Sequence, residues 1–92
     1  NQAVKSAYDR AWHLPDSVTD EGATAEATIV IARDGTVISA RISKPSGNSG
    51  LDASVRRTLD RVKWAAPLPA SEKENQRTVT INFNVGAKRA LG

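Results

Sequence analysis

Hydrophobic and polar residues alternate over two adjacent stretches, residues 25–33 and residues 36–43, and this pattern predicts a β-hairpin. Asp34-Gly35 would form its two-residue loop, because a type I′ turn needs positive φ at both central positions and Asp-Gly tolerates it. In this register three cross-strand pairs share one apolar face: Ile31 with Ile38, Ile29 with Ala40, and Ala27 with Ile42. The opposite face is more polar, so the hairpin is expected to bury one face and leave the other in water.

A third alternating stretch, residues 77–85, predicts the last strand. Its apolar side chains point one way and its polar side chains the other: Val79, Ile81, Phe83 and Val85 against Thr78, Thr80, Asn82 and Asn84. Residues 78–85 contain no proline, glycine or charged side chain. Natural proteins usually place such residues on an edge strand to prevent it from pairing with another chain, so the edge of this strand would be open to pairing.

Apolar residues recur at helical spacing in two other stretches, which predicts helices at residues 3–13 and 51–63. The apolar stripes are Val4, Ala7, Tyr8, Ala11 and Trp12 in the first helix, and Leu51, Val55, Leu59 and Val62 in the second. Ser49 followed by Asp52 resembles a capping box, so we expect the second helix to begin there.

The elements follow the order α-β-β-α-β, which predicts an α+β fold. Its two layers would be a three-stranded antiparallel sheet of strand order 2-1-3 and two helices on one face of that sheet. Trp12 is interpreted as a core or rim residue, and Trp64 is expected to fold back beneath the second helix. Residues 1–92 would form a single domain, with residues 87–92 as a frayed tail.

The amino-acid composition argues against several kinds of functional site. The 92 residues include no cysteine, which excludes disulfides and thiolate metal sites, and they include one histidine, His13. His13 is interpreted as an ordinary surface or helix-end residue, because no carboxylates are spaced to complete a metal site around it. The turn at residues 46–50 lacks the Gly-Lys-Ser/Thr of a phosphate-binding loop. We therefore expect no catalytic residues, no metal and no cofactor, and we do not expect an enzyme.

Charge is unevenly distributed along the chain, whose net charge is +3. Residues 1–31 carry two basic and five acidic groups, whereas residues 32–92 carry eleven basic and five acidic groups. The basic part raises the hypothesis of a small nucleic-acid-binding α+β module. Against it, the predicted open face offers no aromatic platform on which bases could stack, so nucleic acid is not the expected partner.

The predicted strand order leaves one edge of residues 77–85 unpaired, and three outcomes stay open for it. Another part of the protein covers the edge, or a second copy pairs with it in a homodimer, or a partner protein adds a strand to it. All three follow from the same row of backbone N–H and C=O groups.

Several short features follow one another along nearly the whole chain. They are Ala11-Trp12-His13-Leu14-Pro15, Ala27-Thr28-Ile29-Val30-Ile31, Arg33-Asp34-Gly35-Thr36-Val37, Ser46-Gly47, Leu51-Asp52, Trp64, Pro67-Leu68-Pro69 and Val79-Thr80-Ile81-Asn82-Phe83. Each is short, but their order and spacing resemble the C-terminal periplasmic domain of the TonB/TolA energy-transducer family. The resemblance implies the same three antiparallel strands and two helices on one face.

The resemblance also implies a location and a role. It implies a periplasmic domain of a protein that is anchored in the inner membrane by an N-terminal transmembrane helix, which this sequence does not contain. Such a protein couples an inner-membrane proton-driven motor to active transport across the outer membrane, including siderophore uptake.

In TonB-like members the N-terminal box of a TonB-dependent outer-membrane transporter binds along the last strand by strand addition. Carried over to this sequence, the partner-binding residues are Arg77, Thr78, Val79, Thr80, Ile81, Asn82, Phe83, Asn84 and Val85. TolA-like members offer an alternative, in which the same fold binds envelope proteins of the Tol–Pal system.

Overall fold

The computed structural model describes residues 2–91, with side chains to residue 90, as one sheet and three helices. The elements in chain order are α1 (Gln2–Ala11), β1 (Thr24–Ala32), β2 (Val37–Lys44), α2 (Ser49–Arg61), β3 (Gln76–Asn84) and α3 (Val85–Leu91). The sheet is antiparallel with the order β2-β1-β3. The α+β fold and the strand order predicted from the sequence are therefore confirmed, with element ends displaced by one or two residues.

Helices α1 and α2 cover the apolar face of the sheet, as the hydrophobic pattern predicts. The buried residues of α1 include Val4 and Tyr8, and those of α2 include Leu51, Val55 and Leu59. They form one core with the apolar side chains of the sheet: Ala25, Ala27, Ile29, Ile31, Val79, Ile81 and Phe83. One contiguous core is the usual result when two amphipathic layers bury their apolar faces against each other.

The hairpin loop contains three residues, Arg33, Asp34 and Gly35, instead of the two predicted. The N–H of Gly35 donates to the carbonyl of Ala32 over 2.9 Å, and the N–H of Ala32 donates to the carbonyl of Thr36 over 2.8 Å. Gly35 has φ 99° whereas Asp34 has negative φ, so the turn is not type I′. A glycine that follows a type I turn is the usual three-residue alternative. The N–H of Thr36 also binds the carboxyl of Asp34 and lowers its pKa.

The longer loop changes the hairpin register near the turn. Ile31 pairs with Val37, and a register shift separates that pair from the rest of the ladder. The predicted pair of Ile31 with Ile38 is therefore wrong, and the side chain of Ile38 is 54% exposed. Beyond the shift, the predicted pairs of Ile29 with Ala40 and of Ala27 with Ile42 are confirmed.

Helix α2 begins with a different cap from the one predicted. The side chain of Asn48 accepts a hydrogen bond from the N–H of Leu51 over 3.1 Å, so Asn48 is the N-cap. Asp52 does not complete a capping box with Ser49. Asp52 is buried, and its carboxylate accepts from the N–H and the Oγ of Ser46, over 3.0 and 2.8 Å. The helix therefore begins at Ser49, and Asp52 fixes the loop in front of it.

Trp64 and the C-terminal residues also depart from expectation. Trp64 is 57% exposed and does not lie beneath α2; its indole N–H donates to the carbonyl of Asp34 over 2.7 Å. Instead of a frayed tail, residues 85–91 form α3, with residue 92 outside the described part. The side chain of Asn84 caps α3 by accepting from the N–H of Ala87 over 2.8 Å. Hydrogen bonds from Lys88 and Arg89 to backbone carbonyls near the N-terminus of the chain hold this helix in place.

Candidate functional site

The candidate site is the outer edge of β3. Within residues 2–91, β3 pairs with β1 along its whole length, from Gln76 to Asn84, and with no other strand. The predicted alternation of its side chains is confirmed: Val79, Ile81 and Phe83 are buried, while Thr78, Thr80 and Asn82 are exposed. Eight of the nine predicted binding residues lie in β3, and the ninth, Val85, is buried at the start of α3.

The hydrogen bonds at the two ends of β3 establish which backbone groups face outward. The carbonyl of Asn75 accepts from the N–H of Arg33 over 2.9 Å, and the N–H of Val85 donates to the carbonyl of Ala23 over 3.1 Å. Both residues therefore face β1. Because backbone groups alternate in direction along a strand, the odd-numbered residues of β3 face β1 and the even-numbered residues face away. The N–H and C=O groups of Thr78, Thr80 and Asn82 consequently project to the free edge.

Side-chain contacts fix the start of this edge. Arg77 forms an ion pair with Glu72, with 2.8 Å between Nη1 and Oε2. The N–H of Glu74, and then Arg77, lower the pKa of the Glu72 carboxyl. Arg33 donates to the carbonyls of Glu72 and Glu74, both over 2.6 Å. These bonds hold the loop before β3 against the hairpin.

At the other end of the edge, α3 stops the strand. The side chain of Asn84 donates to Thr24 Oγ1 over 2.7 Å. The N–H of Gly86 donates to the carbonyl of Glu21 over 3.0 Å, and a Cβ at this position would lie 2.9 Å from that oxygen. The close backbone approach therefore suits glycine, and the free edge runs from Arg77 to Phe83.

A groove of about 490 Å³ lies between the outer edge of β3 and helix α1. The strand contributes Ile81, Asn82 and Phe83, and the helix contributes polar and charged residues that include Lys5, Asp9 and Arg10. No residue of β1 lines it, which places the groove on the side of β3 that faces away from the sheet. Sequence reasoning missed this groove, because only the packing of α1 beside β3 brings its two walls together.

Trp12 also lines the groove, and contacts with two other elements hold its ring in place. Its ring meets that of Phe83 edge to face, with centroids 5.1 Å apart and an interplanar angle of 86°. Lys88 of α3 lies over the Trp12 ring, with Nζ 5.5 Å from the centroid. The same ammonium donates to the carbonyl of Asp9 over 2.7 Å and lies 3.7 Å from Asp9 Oδ1. Lys88 thus joins α3 to α1 and offsets the charge of Asp9.

Several basic side chains of the second part of the chain bind the protein itself. Arg61 donates to the carbonyl of Ala11 and Arg89 donates to the carbonyl of Pro15, each over 3.1 Å. Together with Lys88, they place positive charge at the C-terminal end of α1, which stabilises a helix. Part of the basic excess therefore has a structural role, which weakens the nucleic-acid hypothesis.

Other kinds of site are not found in the part of the chain that the structure describes. Residues 2–91 hold no group of three or more His, Cys, Asp and Glu side chains that could bind a metal ion. None of the helices within residues 2–91 has the length and hydrophobicity that a membrane span requires. His13 is exposed two residues after the end of α1, which agrees with its interpretation as a surface or helix-end residue.

Comparison with known proteins agrees with this fold. A search of curated proteins gave no match. A solution NMR structure of TolAIII bound to a peptide derived from the N-terminus of TolB is similar, with a TM-score of 0.66 and 22% sequence identity. The match covers 90% of this chain and 71% of that chain, and it shows a shared fold. The model of the TonB C-terminal family matches residues 1–83, and domains of this family are non-enzymatic and bind other proteins. This chain therefore belongs to the TonB C-terminal family.

Proposed function

We propose that this domain is the partner-binding end of a TonB-like energy transducer, and that it binds the N-terminal box of an outer-membrane transporter by strand addition to β3. The free edge of β3 carries the proposal, because the outward groups of Thr78, Thr80 and Asn82 pair with no strand of residues 2–91. The domain would work in the periplasm. An inner-membrane proton-driven motor would act on it through an N-terminal membrane anchor.

The number of backbone groups at this edge is compatible with reversible binding of a strand. Thr78, Thr80 and Asn82 offer one N–H and one C=O each, which allows up to six hydrogen bonds. Each bond contributes about 0.5–1.5 kcal/mol net. Six bonds together contribute about 3–9 kcal/mol, so a Kd near 1 μM, about −8 kcal/mol, requires side-chain contacts in addition to the backbone bonds. A force applied along the strand would act on all of these hydrogen bonds at the same time.

The test is a backbone amide chemical-shift titration of the domain with a peptide that carries a transporter's N-terminal box. We expect the largest shifts at residues 77–84, with smaller shifts in α1. A matched peptide, N-methylated at the positions that would pair with β3, should bind much more weakly, because it lacks the donors. Equal binding of the two peptides would contradict strand addition.

A TolA-like role is the alternative within the same fold. The TolAIII structure that is similar to this chain holds a peptide from the N-terminus of TolB. A Tol–Pal protein could therefore occupy the same edge. The titration separates the two roles if it is repeated with a TolB N-terminal peptide: the peptide with the lower Kd identifies the partner set.

A second copy of the domain could also pair through residues 77–85. Edge-to-edge pairing would make a homodimer, and light scattering over a range of protein concentrations would detect it. In that case the box peptide should dissociate the dimer, because both compete for the backbone groups of Thr78, Thr80 and Asn82.

A further inference from the structure

The basic residues of the second part of the chain are not all engaged within the domain. Residues 32–92 carry eleven basic groups. Six of them contact carbonyls or carboxylates of the domain: Arg33, Lys44, Arg61, Arg77, Lys88 and Arg89. The side chains of the other five form no hydrogen bond or ion pair with a described residue: Arg41, Arg56, Arg57, Lys63 and Lys73. These cations are available to a partner.

Three of the five free cations lie on the side of the domain opposite the free edge of β3, because β2 is the other outer strand of the sheet. Arg41 of β2 and Arg56 of α2 line one groove of about 260 Å³, in which Asp60 is the acidic residue. The N–H of Val37 donates to the carbonyl of Lys63 over 2.9 Å, so Lys63 lies beside the start of β2. Positive charge is therefore spread along this side, which we call the β2/α2 side.

Two large hydrophobic side chains are exposed at the end of the same side. They are Ile38 and Trp64, the exposed large hydrophobic residues of the part of the chain that the structure describes. Trp64 follows Lys63 and pairs with Thr36, two residues before Ile38 in the hairpin. The cations and the exposed apolar side chains therefore border one another.

The Trp64 ring is held in a fixed, exposed position. Its indole N–H donates to the carbonyl of Asp34 over 2.7 Å. A Cβ at Gly35 would lie 2.6 Å from Nε1 and 2.8 Å from Cε2 of the indole, so the ring packs directly on glycine. An ordered ring loses little side-chain entropy when its exposed surface binds a partner. Tryptophan is enriched at membrane–water interfaces, because it combines an apolar ring with a polar N–H.

We propose that the β2/α2 side docks on the surface of an anionic phospholipid bilayer, with Arg41, Arg56 and Lys63 at the lipid phosphates and Trp64 among the headgroups. Charge complementarity and the exposed apolar residues together favour this partner. An anionic bilayer supplies a broad negative surface for the spread cations and an apolar layer for Trp64 and Ile38. A nucleic acid supplies the charge but no apolar layer for Ile38. The free edge of β3, on the opposite side of the sheet, would stay accessible to a partner strand while the domain is docked.

Vesicle sedimentation with tryptophan fluorescence tests the docking. At low salt the domain should bind vesicles of equal parts phosphatidylglycerol and phosphatidylcholine about tenfold more tightly than vesicles of phosphatidylcholine alone, and added salt should reduce the difference. The emission of Trp64 should shift to shorter wavelength as its ring leaves water, whereas Trp12 is already buried. The variant Trp64→Phe should lose the shift. Similar affinities for the two kinds of vesicle, or binding without the shift, would overturn the inference.

Two double variants of equal charge locate the docking side. Arg41→Gln with Arg56→Gln should weaken binding to the anionic vesicles about tenfold or more, since each cation near the surface contributes roughly a factor of five. The control, Lys5→Gln with Arg10→Gln, removes the same charge from exposed positions of α1 beside β3 and should weaken binding less than about threefold. Circular dichroism would verify that both variants fold. Equal losses would overturn the inference, because net charge alone would then drive binding.

Polyglutamate and a single-stranded oligonucleotide represent the other anionic partners, an acidic protein and a nucleic acid. Neither should shift the emission of Trp64 as strongly as anionic vesicles at the same concentration of charge. An equal shift with either polymer would overturn the lipid assignment. The outcome does not depend on strand addition, which the peptide titration measures separately at the edge of β3.

Discussion

The indole N–H of Trp12, the residue that follows α1, donates a hydrogen bond to the Oγ of Ser54 over 3.0 Å and so joins the end of α1 to α2. Both side chains are buried, and the Trp12 ring also packs edge to face on Phe83 of β3. One residue thus connects both covering helices to the strand that forms the candidate site. The position of α1, and with it the wall of the groove, depends on this contact.

Ser54→Ala should lower the free energy of unfolding by about 1–3 kcal/mol, because the buried indole N–H of Trp12 would lose its acceptor. Urea denaturation measures the change. Ser49→Ala is the control, since Ser49 is exposed in the same helix and its replacement should change stability by less than about 0.5 kcal/mol. Adding Trp12→Phe completes a double-mutant cycle, and a coupling energy near zero would show that the bond does not stabilise the fold.

Gly35→Ala should be more destabilising than Gly47→Ala. Both glycines have positive φ, 99° and 84°, so each substitution costs about 1–2 kcal/mol for the backbone alone. A Cβ at Gly35 would also lie 2.6 Å from Nε1 of Trp64 and 2.9 Å from the backbone of Ala66, whereas a Cβ at Gly47 meets nothing within 4 Å. Thermal unfolding of the two variants gives the comparison. Equal loss of stability would mean that Trp64 moves aside at no cost.

Tyr8→Phe should stabilise the domain at neutral pH by about 1 kcal/mol. The hydroxyl of Tyr8 is buried and has no hydrogen-bond partner among the described residues, so its removal relieves a desolvation cost. Urea denaturation at neutral pH measures this gain. A loss of stability would indicate that the hydroxyl has a partner, such as a buried water.

Alkaline pH should destabilise the unmodified domain more than the Tyr8→Phe variant. Burial raises the pKa of Tyr8 to about 12, whereas an unfolded tyrosine has a pKa near 10. Between these values the unfolded chain loses its proton first, so the free energy of unfolding falls as pH rises through that window, by at most about 3 kcal/mol. Tyr8 is the sole tyrosine, so the ultraviolet absorbance of tyrosinate follows it directly. A midpoint near 10 in the folded protein would contradict the prediction.

Thr80→Pro should weaken strand addition without unfolding the domain. The N–H of Thr80 faces the free edge, so proline removes an outward donor and leaves the ladder with β1 in place. We expect the affinity for the box peptide to fall roughly tenfold or more. Thr80→Ala keeps the N–H and should bind as the unmodified domain does. Unchanged binding by Thr80→Pro would place the partner elsewhere.

Ile81→Pro, unlike Thr80→Pro, should disrupt the fold of the domain. The N–H of Ile81 faces β1, so proline there removes a hydrogen bond inside the sheet and leaves its acceptor unpaired, which should cost at least about 1–3 kcal/mol of stability. The variant would then lose binding because it loses the fold. Circular dichroism of the two variants separates the cases: Thr80→Pro should keep its spectrum and Ile81→Pro should not.

The sequence by itself determined the strands, the two covering helices and their order. The alternation of Val79, Ile81 and Phe83 with Thr78, Thr80 and Asn82 is local, and it is sufficient to predict that β3 has one buried face and one open face. The same periodicity predicted the stripes of α1 and α2, because burying an apolar face is the main term in forming either element. The free edge of β3 followed from the strand order.

Only the tertiary structure decided the details that depend on distant partners. Ile38 became exposed because Gly35 and the Lys63 carbonyl, which accepts from the N–H of Val37, set the register of the turn. Residues 85–91 became α3 because Lys88 and Arg89 reach the carbonyls of Asp9 and Pro15. The groove required α1 to pack beside β3. Local sequence patterns do not specify which carbonyl or which strand edge a side chain contacts, because those partners are remote in sequence and come together only when the core forms.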